Sequence, residues 1–127
     1  MMKLVRYSRT LTLALAIAAI AAPGALAASG CSEKASAIKA GQASAKSMAA
    51  DRDELLLDVE AAGDAWEDAE VVRNFSASHG ARADLARSEY EGLKADLASR
   101  EEELQTRLAS LNNDVANYNR TCATRKR

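Results

Sequence analysis

Proline occurs once in this chain, histidine once and cysteine twice, and only 4% of the residues are aromatic. Each scarcity excludes something. Two cysteines and one distant histidine do not complete a four-ligand zinc sphere, so no metal site is expected. His79 has neither a nucleophile nor an orienting partner in a local motif, so no catalytic residue is expected either. Hydrophobic residues make up 48% of the 127, but 29 residues are alanine. Few large side chains remain to enclose a deep pocket, and the length supports one domain at most. The expectation is a protein that is not an enzyme and has no cofactor.

The N-terminus reads as an export signal. Lys3, Arg6 and Arg9 form a basic stretch, and Leu11 to Ala22 is apolar except for Thr12. That run has the length of a signal-peptide core and is too short for a typical membrane span. Pro23-Gly24 then breaks the helix, and Ala25-Leu26-Ala27 supplies the small residues that a signal peptidase accepts. Residues 1–27 are expected to be removed, leaving 28–127 as an exported chain, periplasmic or secreted. A competing address follows at once. Ala28-Ser29-Gly30-Cys31 resembles the bacterial lipobox, though Ala28 stands where leucine is usual. This resemblance implies an envelope lipoprotein anchored through Cys31, and only then a membrane contact. The intact chain carries 17 bases against 18 acids, and loss of three bases with the signal leaves a net charge of −4. Nucleic acid, which needs a basic surface, is therefore not an expected partner.

Beyond Ala27 there is no proline, and strong helix formers dominate. The one turn-like cluster is Asn74-Phe75-Ser76-Ala77-Ser78-His79-Gly80, rich in residues that cap helices or bend the chain. The pattern predicts an all-α, antiparallel two-helix hairpin of coiled-coil type. Its arms span about 32–73 and 81–122, its turn 74–80 and its basic tail 123–127. Ala45, Met48, Leu55, Val59, Ala62, Trp66 and Ala69 recur at 3–4 spacing in the first arm, with Arg52 filling one seam position. Tyr90, Leu93, Leu97, Leu104, Leu108, Leu111, Val115, Tyr118 and Cys122 do so in the second. The step of eleven residues from Leu97 to Leu108 resembles a stutter in a heptad pattern.

Cysteine placement tests the same fold independently. The midpoint between Cys31 and Cys122 is 76.5, inside the predicted turn, so facing residues have numbers adding to about 153. The two cysteines then meet at the open end, Ile38 lies near Val115, Ala45 near Leu108, Ala49 near Leu104 and Leu56 near Leu97. Exported chains with an even cysteine count favour pairing, so a Cys31–Cys122 disulfide is expected. A bridge closing so long a loop contributes ~4–5 kcal/mol in the loop-entropy model.

Asp51 to Glu70 holds nine acids against one base, Arg52. On a helix with no calcium-loop glycine, these read as a solvated face or as bait for a basic partner. Leu56, Leu57, Val71 and Val72 cannot all enter one two-helix seam, so they are the expected contacts for a protein partner or for self-association.

Leu111-Asn112-x-x-Val115-x-x-Tyr118-Asn119-x-x-Cys122 resembles the endings of small exported bacterial proteins of uncharacterised function. In architecture the chain also looks like the helical arms of periplasmic chaperones, without their strand-rich trimerisation body. The first resemblance carries no activity, and the second implies holdase action. The expectation that follows is an exported helical hairpin working through protein contacts or as an envelope scaffold, with a periplasmic holdase as the alternative.

Overall fold

The computed structural model describes residues 29–123, and the expected signal segment and residues 124–127 of the basic tail lie outside them. Two helices account for nearly all of the described chain: α1, Ser29–Val71, and α2, Ala77–Thr121. They lie antiparallel as a hairpin, joined by a short 3-10 turn over Arg73–Phe75. Cys31 and Cys122 are disulfide-bonded across the open end, with Cα atoms 5.8 Å apart.

The bend is tighter and earlier than the composition of residues 74–80 predicts. Ser76 is extended, with φ −164° and ψ 167°, and its Oγ accepts a hydrogen bond from the His79 backbone N–H at 3.3 Å. This is an N-cap: a hydroxyl satisfies one of the orphan donors at the start of a helix. It starts α2 at Ala77, so His79 and Gly80 belong to the first helical turn and not to the connection. Gly80 does not take a positive φ. At the other end α1 begins at Ser29, which places Cys31 inside the helix.

Register follows the cysteine midpoint. Beyond the disulfide, Arg52 Nη1 lies 3.9 Å from Glu101 Oε1, and the Arg87 guanidinium sits 5.8 Å from the centre of the Trp66 ring. Gly63 backs onto Tyr90, where an added Cβ would stand 3.2 Å from the ring. In all of these pairs the residue numbers add to 153. Close approach depends on small residues opposite large ones. Gly41 is the second case, with its absent Cβ 3.0 Å from Leu111 Cδ1.

The seam is a heptad column on each helix. Cys31, Ile38, Ala45, Arg52, Val59 and Trp66 recur every seven residues on α1, and Ala83, Tyr90, Leu97, Leu104, Leu111 and Tyr118 do so on α2; all are buried or half-buried. The eleven-residue step is a drift of the companion column only. Ala86 and Leu93 come three residues after their heptad partners, whereas Leu108, Val115 and Cys122 come four after theirs. Between them Arg100 and Glu101 are both exposed. Leu56 is correspondingly not a seam residue facing Leu97. The rotation of about 100° per residue turns Leu55 inward between Arg52 and Val59 and leaves Leu56 at the margin, 37% exposed. Cys31, Ile38 and Tyr118 form a buried cluster with Ala35, Leu111, Val115 and Cys122 packed on it, so the best-formed core adjoins the disulfide.

Candidate functional site

The bend is held by charge. Arg73 donates from Nε to Glu70 Oε1 at 2.7 Å and from Nη2 to Asp84 Oδ1 at 2.8 Å, tying the end of α1 to the start of α2. The hydrogen bond from Arg73 holds the Glu70 carboxyl below its ordinary value, and the two carboxylates raise the guanidinium pKa in turn. Just above, Trp66 stacks on Tyr90 with ring centres 5.5 Å apart and planes 26° from parallel. Arg87 covers the indole, and the Lys94 ammonium lies 5.1 Å from the Tyr90 ring centre. Both cations favour the electron-rich ring faces. The indole Nε1 of Trp66 is buried near the Glu70 carboxylate, which it helps to hold below its ordinary value without closing to a full hydrogen bond. With its faces taken by Tyr90 and Arg87, this group is a packed layer rather than an open recess.

An open groove of about 560 Å³ runs along one flank of α2 from Ser99 to Ser110, beside Met48, with Glu103 and Arg107 among its walls. The hydroxyls of Ser99, Thr106 and Ser110 and the carboxylates of Glu102 and Glu103 line it. Among the described residues no set of three or more histidine, cysteine or acidic side chains is placed to hold a metal ion. No described helix is long and apolar enough to cross a membrane.

What remains is surface. Leu57 is 65% exposed and Val71 80%, on the side of α1 turned away from α2. Leu56 stands at the seam margin, and Val72 is half-buried against the bend, so the four expected contact residues do not make one patch. Two further apolar residues stand exposed off the seam, Phe75 at 75% and Leu85 at 71%. Phe75 sits in the connection, its ring edge-on to His79 with centres 6.0 Å apart. Both carried a signal in the sequence, since neither falls on the 3–4 spacing of the second arm. Around Leu57 and Val71, Asp51, Glu54, Asp58, Glu60, Asp64, Glu67 and Asp68 form no ion pair within the described chain; only Asp53 and Glu70 of this run have cation partners. The disulfide between Cys31 and Cys122 closes the far end of this rod. Compared with known proteins, the chain matches no family model, no curated protein and no solved structure.

Proposed function

We propose that the chain is an exported, non-enzymatic hairpin that acts by protein–protein contact in an oxidising compartment, as an interaction or scaffold element of a bacterial envelope. The observation that carries this reading is the outer side of α1, where Leu57 and Val71 stand exposed among acids without cation partners. Exposed apolar side chains rimmed by charge are what contact surfaces present before they are covered. The disulfide supports the compartment, because such bridges persist where thiols are not kept reduced. A rod of two long helices with an open groove offers length and surface rather than an enclosed reaction volume.

A photo-crosslinking residue at position 57, in the natively exported protein, should capture one defined protein, and the same residue at seam position 59 should not. Equal capture at both positions, or none at 57, overturns the reading. The holdase alternative rests on Phe75 and Leu85, which place loose apolar contacts near the bend. It requires that the protein suppress aggregation of several unrelated clients. The lipid-anchored alternative needs the same Cys31 sulfur that the disulfide uses. Intact mass before and after reductant separates the two: a disulfide gains two hydrogens, whereas an anchored chain carries acyl mass.

A further inference from the structure

We infer that the outer face of α1 is the contact for a second copy of this chain, laid antiparallel on it. The inference rests on the contact reading above and names its partner. Seam residues Leu55 and Val59 bracket Leu57 in sequence, and at about 100° per residue Leu57 points diametrically away from them. Ala43, Ala50, Asp64 and Val71 share its column at seven-residue spacing, and all are exposed. This column is small toward the N-terminal half and carries its large apolar residues from Leu57 onward. Ser36 continues this column, and an antiparallel copy with facing numbers adding to about 107 sets Leu57 on Ala50 and Val71 on Ser36, the large-on-small fit that also packs the hairpin's own seam.

The adjoining column fixes the orientation. It reads Lys39, Lys46, Asp53, Glu60, Glu67, with every residue exposed: two bases and then three acids. Lys39, Lys46, Glu60 and Glu67 have no ion partner within the described chain. A parallel copy would set like charge on like along the whole column, whereas an antiparallel copy sets the basic end on the acidic end. Charge of this arrangement selects orientation more than it adds affinity, and it discriminates against the wrong pairing. The corresponding outer column of α2 is Asp84, Glu91, Ala98, Gln105 and Asn112, which has no base and cannot complement itself. That column of α2 therefore does not repeat the arrangement found on α1.

Sedimentation equilibrium of the oxidised protein tests this. Wild type should dimerise, and added salt should weaken the dimer several-fold. The Lys39→Glu/Lys46→Glu double variant and the Asp53→Lys/Glu60→Lys/Glu67→Lys triple variant should each be monomeric with unchanged helicity. An equimolar mixture of the two should regain the dimer mass, because each supplies the charge that the other lost. Leu57→Glu, a single change opposite the seam, should also dissociate the pair and covers the case in which a multiple variant misfolds. Monomeric wild type at high micromolar concentration overturns the inference. So does a dimer that salt tightens, one that Leu57→Glu leaves intact, or a folded pair of variants that stays apart on mixing. Should position 57 crosslink to a different protein while wild type stays monomeric, this inference fails and the contact reading stands.

Discussion

Gly63 and Gly92 place one residue type in two environments on the same rod. Glycine in a helix interior is worse than alanine by about 0.8–1 kcal/mol, so either position should profit from a methyl group on backbone grounds. At Gly92 that Cβ meets nothing within 4 Å. At Gly63 it meets the Tyr90 ring at 3.2 Å, and that ring is already stacked on Trp66 and approached by the Lys94 ammonium. A ring held this way has little room to retreat. Gly92→Ala should therefore raise the melting temperature by several degrees, since ~1 kcal/mol moves a domain of this size by about 4–8 °C. Gly63→Ala should lower it. Thermal melts of the two variants side by side check the contrast; a matching rise in both would show that the helices do not approach as closely as described.

At the level of the two helices, stability is concentrated at the ends. At the bend, Glu70 has a folded-state pKa below its ordinary value because Arg73 donates to it. A depressed carboxylate contributes stability that is present above the unfolded pKa and is lost as pH falls through the folded one. Glu70→Gln should accordingly melt below wild type at neutral pH and converge with it under acid conditions below the carboxylate range. Exposure of the pair keeps the difference small. At the open end the disulfide spans 91 residues of sequence. Cys31→Ser or Cys122→Ser should keep the helices in the cold while lowering stability by roughly 2–5 kcal/mol. Reductant should reproduce that loss in wild type and leave the variants unmoved. Variants that melt with the oxidised wild type would mean that packing alone closes the hairpin.

The same two helices show which features were legible in advance. Leucine, valine and tyrosine at 3–4 spacing marked the seam of α2, and the cysteine midpoint set its register against α1, because both signals come from large or chemically unusual side chains. Ala83 is fully buried yet was not distinguished, since alanine occurs on every face of this chain and one more carries no contrast. The bend was displaced for a related reason. Gly80 and His79 look like turn residues, but Ser76 satisfies the first backbone donors of α2 and lets the helix begin ahead of them. Of the four expected contact residues, the exposure of Leu57 and Val71 was legible because they oppose the seam. Leu56 and Val72 lie one residue from those positions, and a single residue turns a helical side chain by more than a quarter of a circle.

Over its described residues the whole molecule is a rod with a staple at one end and a capped bend at the other. Arms of 43 and 45 residues extend ~65 Å at 1.5 Å per residue. Because facing residues keep a nearly constant sum along the seam, the rod's length obeys a rule of mirrored insertion and deletion. Removing residues 53–59 alone shifts the cysteines about 10 Å out of alignment. Removing the reflected residues 94–100 as well restores the match, takes out one heptad on each side and returns Cys31 to Cys122. The doubly shortened chain should oxidise fully and lose about 10 Å of maximum dimension in solution scattering, whereas either single deletion should leave free thiols. A lineage of such hairpins would lengthen or shorten only in paired heptads counted outward from the bend, so related chains of other lengths should differ by about fourteen residues or its multiples.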